Sequence, residues 1–310
     1  MRLDKSKMNS IDDIVIIGSG IAGMTCGLYL GRANRRFTII GDWANSSLAS
    51  SPMVKNYPGA GEVDGATILN NLHEQMMSNG NPIEITEDCV SLYANEDGSM
   101  AVVETEHNVI FANKIVIATG RRPRLLGLDG ENELIGNGIS TCAYCDGNLY
   151  EGRKIAIVGG GNSAVDEAIY LSSIVEHIDL IVRKDVLRSD KIQTEKLMRK
   201  DNVSVCFNTE FRSLKRLNDG RIYTVDNNQV ERAYNGIFYA IGSVPNTDFI
   251  HLDSFSNLSR ENMYDGYVPR MFSDRSIIIF SAGDVSYREG KRFQAIIAAA
   301  EGAETALEIV

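Results

Sequence analysis

The residues best suited to chemistry are two cysteines two positions apart and the acid that follows them, Cys142-Ala143-Tyr144-Cys145-Asp146. A Cys-x-x-Cys pair can close and open a disulfide with little backbone movement, and a neighbouring carboxylate can move the proton that thiol exchange requires. We therefore predict that Cys142, Cys145 and Asp146 are catalytic. For Asp146, a role in starting the turn at Gly147 is an alternative, and the two roles are compatible.

A zinc site and an inert buried pair are the alternatives to a redox disulfide. Structural zinc sites need a second cysteine pair or suitably spaced histidines. The four histidines do not complete such a site: His73, His107, His177 and His251. We therefore predict no metal.

The other three cysteines stand alone in apolar or strand-like contexts: Cys26, Cys89 and Cys206. We interpret them as buried free thiols. Five cysteines are too few and too scattered for a disulfide scaffold, so a reducing, cytoplasmic compartment is expected. In such a compartment a Cys-x-x-Cys pair is more often catalytic than structural.

Two glycine-rich loops each follow an apolar, β-branched run and precede a helical pattern. The first is Gly18-Ser19-Gly20-Ile21-Ala22-Gly23, between a strand at 14–17 and a helix at 24–32, with a further strand at 37–40. The second is Gly159-Gly160-Gly161-Asn162-Ser163-Ala164, between a strand at 155–158 and a helix at 165–172, with a further strand at 178–182. In such loops the small residues allow a tight turn, close approach of pyrophosphate and packing of helix on strand. We predict two dinucleotide sites, each in its own domain.

The residues after the second strand of each unit bear on ribose binding and on whether the ribose of the dinucleotide carries a 2′-hydroxyl or a 2′-phosphate. Asp42 follows the first unit, where ribose binding and an ordinary exposed loop acid are equally good interpretations. In the second unit the strand ends in Arg183 and Lys184, with Arg188 beyond them and no carboxylate at the strand end itself. Three cations suit a 2′-phosphate, which favours NADPH over NADH; a solvated basic turn is the alternative.

The rest of the pattern predicts how the domains are connected. Residues 83–111 indicate antiparallel strands with a turn at 95–98, and 115–120 and 237–242 indicate buried strands ending in small residues. A strand at 277–280 leads into Ala282-Gly283-Asp284, and 294–310 is an alanine-rich helix. We predict an α/β fold with two Rossmann-like domains, the second inserted in the first, with residues 1–121 and 247–310 in one domain and 122–246 in the other.

Composition excludes several other classes of protein. The chain has 310 residues, 44% of them hydrophobic, and a formal net charge of −10. This charge disfavours nucleic acid and anionic membranes as partners. Runs of about 18 apolar residues are missing, and residues 1–12 lack the apolar core of a signal peptide. We expect no membrane partner and no nucleic-acid partner.

Taken together, these motifs resemble those of the low-molecular-weight, bacterial-type thioredoxin reductases, which are flavoprotein disulfide reductases. The resemblance extends from Ile14 to about Leu307. Its most discriminating part is the cysteine motif inside the second nucleotide domain, since other flavin disulfide reductases carry their dithiol near the first loop. The other pieces that carry it are 18–23, Asn56-Tyr57-Pro58-Gly59, 118–120, 159–166, Arg183 with Lys184 and Arg188, 240–242, Pro245-Asn246-Thr247, 282–284 and Gln294-Ala295.

The resemblance implies FAD on the first loop, NADPH on the second, a homodimer, and thioredoxin or a thioredoxin-like protein as the partner. Cys145 would be the thiol nearest the flavin, Cys142 would attack the partner's disulfide, and Asp146 would handle the proton. The two domains of the family rotate between a state for flavin reduction and a state for the partner.

The same resemblance carries over two sets of binding residues. The set for FAD, in which Asp284 contacts the linker and Gln294 and Ala295 the flavin end, is Gly18, Ser19, Gly20, Ile21, Ala22, Gly23, Gly41, Asp42, Ser47, Leu48, Asn56, Ala118, Thr119, Gly120, Gly283, Asp284, Phe293, Gln294 and Ala295. The set for NADPH is Gly159, Gly161, Asn162, Ser163, Ala164, Arg183, Lys184, Arg188, Ile241 and Gly242.

The chain departs from the family pattern at a few positions. Residues 45–48 read Asn-Ser-Ser-Leu where the family has a Gly-Gly-Gln-Leu-like stretch. Val182 replaces a histidine, Lys184 an arginine, and Phe293 the arginine before the glutamine. Lysine lacks the forked donors of arginine, so weaker NADPH binding is expected.

These departures keep other interpretations open. One is a related flavoprotein that uses another donor, such as ferredoxin, or another disulfide partner. A non-catalytic flavin redox sensor is a second, although it would not need the dithiol and acid together. Arg121-Arg122-Pro123-Arg124 could dock an acidic partner or form a solvated hinge.

Overall fold

In the computed structural model the chain forms two α/β units, the first of which is assembled from two separate stretches. Unit 1 comprises Met1–Arg122 and Pro245–Val310, and unit 2 comprises Pro123–Val244. The structure describes residues 8–51, 53–80, 82–256, 263, 266–289 and 293–310, with the backbone alone at 8–10 and Cys145. Residues 1–7, which belong to the polar N-terminal segment, lie outside the described residues.

The elements alternate as expected for an α/β chain. Unit 1 begins with β1 (Met8–Ile17), α1 (Ile21–Arg32), β2 (Thr38–Ile40), α2 (Gly65–Gly80), β3 (Ile83–Ile85), β4 (Ser91–Ala94), β5 (Ala101–Glu104) and β6 (Asn108–Ile117), and β7 (Arg121–Pro123) contains the boundary between the units. Unit 2 contains α3 (Glu131–Leu134), β8 (Ile139–Ser140), α4 (Ala143–Asp146), β9 (Lys154–Val158), α5 (Asn162–Leu171), β10 (His177–Ile181), α6 (Lys191–Leu197), β11 (Val203–Cys206), β12 (Phe211–Arg216), β13 (Ile222–Asp226), β14 (Glu231–Tyr234) and β15 (Gly236–Tyr239), and β16 (Ser243–Pro245) contains the second boundary. The chain then closes unit 1 with β17 (Met271–Asp274), β18 (Ile277–Ser281) and α7 (Ala295–Ile309).

A mixed sheet with β1 at its centre organises unit 1. Its order is β17-β18-β6-β1-β2-β3, and β1, β2, β3, β6 and β18 run parallel. The apolar run of β1 is buried on both faces: Ile14 and Ile16 face the core that α1, α2 and α7 cover, and Val15 and Ile17 face the core with β4 and β5. A strand buried on both faces explains why this run is continuous rather than alternating.

Unit 2 has the same plan with a parallel sheet in the order β11-β10-β9-β15-β8. Ile155 and Ile157 pack against α5. Ala156 and Val158 belong to the core shared with the antiparallel sheet β12-β13-β14, which the sequence did not predict. The two sheets of the two units confirm the predicted α/β class.

The structure corrects the interpretation of residues 83–111 as antiparallel strands throughout. β3 pairs parallel with β2, so only β4, β5 and the start of β6 are antiparallel there. β6 is one continuous strand through Asn113 and Lys114, where the prediction had two strands. These two polar residues are tolerated because Asn113 is exposed and Lys114 half-buried, while the residues around them are buried.

The three isolated cysteines are free, as predicted, but only Cys26 is buried. Cys89 and Cys206 are partly exposed, so the prediction of burial was wrong for both. Cys206 ends β11, an edge strand of its sheet, and Cys89 lies in the loop before β4. Full burial at Cys26 and partial burial at Cys89 and Cys206 raise the pKa of the three thiols, to about 12 at Cys26 and Cys89.

Helix length and hydropathy bear on the expectation about membranes. Within the part of the chain that the structure describes, every helix is too short or too polar to cross a bilayer.

Candidate active site

The dithiol motif lies at the carboxyl end of the edge strand β8. Cys142 is disulfide-bonded and half-buried, and the Asp146 amide donates to its carbonyl over 3.1 Å to close the first turn of α4. The buried Ser140 fixes the same backbone from the other side, because its hydroxyl accepts from the Cys142 amide at 3.0 Å. The first cysteine is therefore held by its own neighbours in the chain.

Helix α4 rests on α5, the helix that follows the second glycine loop. The rings of Tyr144 and Tyr170 are in contact, with centroids 4.6 Å apart and planes tilted by 37°. Burial raises the pKa of Tyr144, and so do the nearby carboxylates of Asp166 and Glu167. Helix α5 thus brings two acids next to the helix that carries the dithiol.

One of these acids titrates near neutrality. Burial, and then the charge of Asp166, raise the pKa of Glu167 to about 7. Asp166 Oδ1 and Glu167 Oε2 are buried without a hydrogen-bond partner among the described residues. A carboxyl group in that situation holds its proton at a pH where ordinary glutamates have lost theirs.

The second glycine loop has the shape that a dinucleotide requires. Gly159 has φ +150°, and a Cβ there would collide with the Ala240 carbonyl, so the loop turns tightly against the end of the neighbouring strand β15. A Cβ at Gly161 would meet nothing within 4 Å. Gly161 also caps α5 without a side-chain hydrogen bond, which leaves the first N–H groups of the helix available to a phosphate.

The segment after β10 folds back onto this loop. The Arg188 amide donates to the Gly160 carbonyl over 2.6 Å, and the Asp190 amide to Asn162 Oδ1 over 2.8 Å. Arg183, Lys184 and Arg188 are all exposed. The three cations therefore lie beside the loop that would hold the pyrophosphate.

Val182, which stands where the family has a histidine, has a different role here. Its side chain is only 2% exposed and belongs to the core of unit 2. A Cβ on Gly160 would approach Val182 Cγ1 to 2.8 Å, so the two residues are in close contact. Val182 thus packs beneath the loop and offers no polar atom to a nucleotide.

The first glycine loop repeats this geometry in unit 1. Gly18 has φ +105°, and a Cβ there would collide with the Ala118 carbonyl, while one at Gly23 would collide with the Gly18 carbonyl. Gly20 caps α1 without a side-chain hydrogen bond, and only Ser46 lies near its missing Cβ, at 3.7 Å. Phosphate can approach the backbone at Gly20.

Of the residues after β2, Asp42 caps a short helical turn and Ser46 could contact a bound dinucleotide. Asp42 accepts from the Ala44 amide at 2.9 Å and from Asn45 Nδ2 at 3.1 Å, so this exposed acid caps the short 3-10 turn Trp43–Asn45. Ser46 Oγ is buried without a hydrogen-bond partner among the described residues. Ser46 is therefore a better candidate than Asp42 for contact with a dinucleotide at the first glycine loop. Ser47 and Leu48 follow it in the chain.

The remaining residues assigned to FAD lie after other strands of unit 1 or in the segments before α2 and α7. Ala118, Thr119 and Gly120 follow β6, and the Thr119 hydroxyl donates to the Asn246 carbonyl over 2.6 Å. Asn56 Nδ2 donates to Gln294 Oε1 over 2.9 Å, at the start of α7. Two more pairs complete this group: the Gly283 amide donates to Glu301 Oε2 over 2.9 Å, and the Arg121 guanidinium lies 3.9 Å from the centre of the Phe293 ring.

Sheet order shows which predicted residues the fold brings together. In unit 1, Gly18, Gly41, Gly120 and Gly283 lie just past the carboxyl ends of four parallel strands, β1, β2, β6 and β18. In unit 2, four parallel neighbours β10, β9, β15 and β8 lead respectively to Arg183, the glycine loop, Ile241-Gly242 and Cys142. Ligands of such sheets bind at the carboxyl edge. Neighbouring strands are about 4.8 Å apart, so the cations and the dithiol of unit 2 lie about 14 Å from each other along this edge.

Two glycine loops and a dithiol motif are the parts of a known enzyme family. The model of the pyridine nucleotide-disulphide oxidoreductases matches residues 12–303. The chain belongs to this family. Members of it are oxidoreductases that use a flavin and a nicotinamide nucleotide, and this chain is one of them.

Several relatives of the chain are named for one activity. A thioredoxin reductase of Borreliella burgdorferi is 32% identical over 99% of this chain and 94% of its own length, and one of Buchnera aphidicola is 33% identical over 95% of each. The crystal structure of Lactococcus lactis thioredoxin reductase has a TM-score of 0.73 and 27% identity, covering 96% of this chain and 97% of that one. The predicted resemblance to the low-molecular-weight thioredoxin reductases is confirmed, and so is the fold class of two Rossmann-like domains.

A flavin dinucleotide fits the residues of unit 1. The Ser46 hydroxyl, buried and without a partner in the described structure, points to a polar ligand at the mouth of the first loop. The open backbone at Gly20 and the free N–H groups at the start of α1 suit pyrophosphate.

The structure adds site residues that the motifs did not indicate. Ser140 anchors the first cysteine, Ser46 replaces Asp42 as the better contact, and Glu167 titrates near neutrality. A serine two positions before a Cys-x-x-Cys pair is a local signal that could have been noticed. The environment of Glu167 depends on the packing of α4 on α5, and no local pattern shows it.

Proposed function

We propose that the protein is an NADPH-dependent thioredoxin-disulfide reductase, in which electrons pass from NADPH through FAD and the Cys142–Cys145 disulfide to thioredoxin or a thioredoxin-like protein. The observation that carries the proposal is the order of sites along the sheet of unit 2. Cations, glycine loop, Ile241-Gly242 and dithiol follow one another at the carboxyl ends of neighbouring strands. A nucleotide bound there directs its nicotinamide end away from the cations and toward the side of the dithiol.

We assign the two dinucleotides to the two loops. Residues 1–121 and 247–310 would form the FAD domain, and 122–246 the NADPH domain with the redox pair. A flavin held at the first loop would supply two-electron transfer between the nicotinamide and a disulfide. The chain contributes the N–H groups of α1 and α5 to the two pyrophosphates, and Arg183, Lys184 and Arg188 to the 2′-phosphate.

Transfer to the partner is ordinary thiol exchange. The Cys142 thiolate attacks one sulfur of the partner's disulfide, which forms a mixed disulfide and releases the other partner sulfur. The Cys145 thiolate then attacks Cys142, re-forms the Cys142–Cys145 disulfide and frees the second partner sulfur. Asp146 supplies a proton to a departing sulfur, and the partner gains two electrons and two protons in all.

The surface around the dithiol suits a protein partner. Tyr144 is 51% exposed, and Leu149, in the 3-10 turn that follows α4, is 70% exposed. Apolar side chains that project near a reactive disulfide provide contact area that a small molecule would not need. We further propose a cytoplasmic homodimer, on the basis of the family resemblance.

The test is NADPH oxidation coupled to thioredoxin reduction, with Cys142→Ser as the variant. The wild-type protein should turn over with NADPH and a thioredoxin. The variant should retain reduction of its flavin by NADPH but lose thioredoxin reduction, while a Cys206→Ser control should keep both. Full thioredoxin turnover by Cys142→Ser would remove the dithiol from the pathway.

A further inference from the structure

A carboxylate lies among the cations that follow β10. Glu210 Oε1 is 3.7 Å from Arg183 Nε, and Glu210 Oε2 is 3.1 Å from Arg212 Nη2. The Arg183 side chain is 73% exposed, whereas that of Glu210 is 32% exposed. One of the three cations available to a 2′-phosphate is thus paired with an acid from another segment.

The position of Glu210 is fixed by its backbone. The amides of Asn208 and Thr209 donate to the carbonyls of Lys184 and Val182, at 3.1 and 3.0 Å, so this segment runs alongside the end of β10. Asn227 then fixes Glu210 from the other side: its Oδ1 accepts from the Glu210 amide at 2.8 Å, and its amide donates to the Glu210 carbonyl over 2.9 Å. These four hydrogen bonds hold the backbone of residues 208–210 in place.

The chemistry of this position differs between the two nicotinamide nucleotides. NADH sites use a carboxylate at the end of the second strand to accept from the ribose 2′-hydroxyl, and NADPH sites use arginine at that place. Strand β10 ends without such an acid, but Glu210 brings one to the same place from the segment after β11. A 2′-phosphate would be attracted by Arg183 and repelled by Glu210.

We propose that Glu210 determines the choice of nicotinamide nucleotide, so that the site accepts NADH as well as NADPH. With NADH, the Glu210 carboxylate accepts from the ribose 2′-hydroxyl. With NADPH, Arg183 leaves Glu210 and pairs with the 2′-phosphate. This inference rests on the proposed function only in that the second glycine loop must bind a nicotinamide nucleotide.

The experiment measures binding without any hydride transfer. Adenosine 2′,5′-bisphosphate and 5′-AMP, which represent the adenosine ends of NADPH and NADH, are titrated into the flavin-loaded protein by calorimetry. In Glu210→Gln, loss of the negative charge should tighten 2′,5′-bisphosphate binding about fivefold. Loss of a charged acceptor should weaken 5′-AMP binding about fivefold, so the ratio of the two dissociation constants should shift about 25-fold.

Glu195→Gln is the matched control, because Glu195 is an exposed glutamate on α6 of the same unit. It should leave the ratio unchanged. The same shift, about 25-fold, should appear in the ratio of kcat/KM for NADPH and NADH. An unchanged ratio in Glu210→Gln, with both ligands bound by the wild-type protein, overturns this inference alone. If the wild-type protein binds neither ligand, the proposed function is overturned as well.

Discussion

Replacing Glu167 by glutamine should change how stability depends on pH. Burial and Asp166 raise the pKa of this carboxyl from 4.5 to about 7 in the folded protein. The folded state therefore binds the proton more tightly than the unfolded state. The stabilisation is complete below about pH 4.5 and is lost as the pH rises to about 7, because the unfolded chain then ionises more readily.

The size of the effect follows from the shift in pKa. Each pKa unit corresponds to about 1.4 kcal/mol, so the full shift represents about 3 kcal/mol. The side chain is only partly buried and solvent screens it, so we expect about half of this amount. Between about pH 5 and pH 8, the free energy of unfolding of the wild-type protein should fall by about 1–2 kcal/mol relative to Glu167→Gln.

The assay is urea unfolding of the flavin-loaded chain, followed by circular dichroism at both pH values. Taking the difference between wild type and variant removes the contribution of all other titrating groups. Glu195→Gln, an exposed site, should show no pH-dependent difference. If the wild type and Glu167→Gln differ by the same amount at the two pH values, Glu167 does not have a raised pKa and the reasoning fails.

Three other substitutions test the site and the fold. Ser46→Ala should weaken flavin binding about fivefold, measured by flavin fluorescence during dialysis, because the flavin nucleotide loses its hydrogen bond to the buried hydroxyl; unchanged flavin retention would contradict this. Asp179→Asn should lower the free energy of unfolding by about 3 kcal/mol in urea, since this buried acid lies 3.1 Å from Lys154 Nζ and accepts from the Tyr234 hydroxyl at 2.8 Å; an unshifted midpoint would contradict it. Leu149→Asp should raise KM for thioredoxin severalfold and leave flavin reduction by NADPH unchanged, because the exposed leucine is expected to contact only the partner; an unchanged KM would remove Leu149 from the docking surface.

The parts of the fold that the sequence predicted best are those with a strong local cause. The apolar run at 14–17 is buried on both sheet faces. Gly18, at its end, lies so close to the Ala118 carbonyl, just after the neighbouring strand β6, that no side chain fits. Burial on both faces produces a continuous hydrophobic pattern, and backbone contact requires glycine. Both causes produce a sequence pattern that is visible within a few neighbouring residues.

The parts that were missed depend on contacts between distant segments. The direction of β3 is set by its pairing with β2, and residues 83–85 contain no information about that pairing. Glu210 reaches the cations because residues 208 and 209 bond to the end of β10. In the sequence Glu210 is one of many acids and lies far from β10, so the sequence shows no carboxylate at the end of that strand.

The sequence predicts the cysteine pair and the two glycine loops as site residues, but it does not indicate the residues that support them. Cys142 was found from its spacing to Cys145, which is a local signal. Ser140 and Ser46 matter because of where their hydroxyls point, and serines are common in loops of every kind. Orientation of this sort is a property of the folded backbone.

The most direct test of the electron path is an anaerobic titration of the purified protein with NADPH, followed by a thioredoxin disulfide. We predict a yellow protein whose flavin absorbance is bleached after about two equivalents of NADPH per chain, one for the Cys142–Cys145 disulfide and one for the flavin. Adding oxidised thioredoxin should restore the absorbance. A protein that fails to take up FAD, or a flavin that stays oxidised in NADPH, would contradict the account.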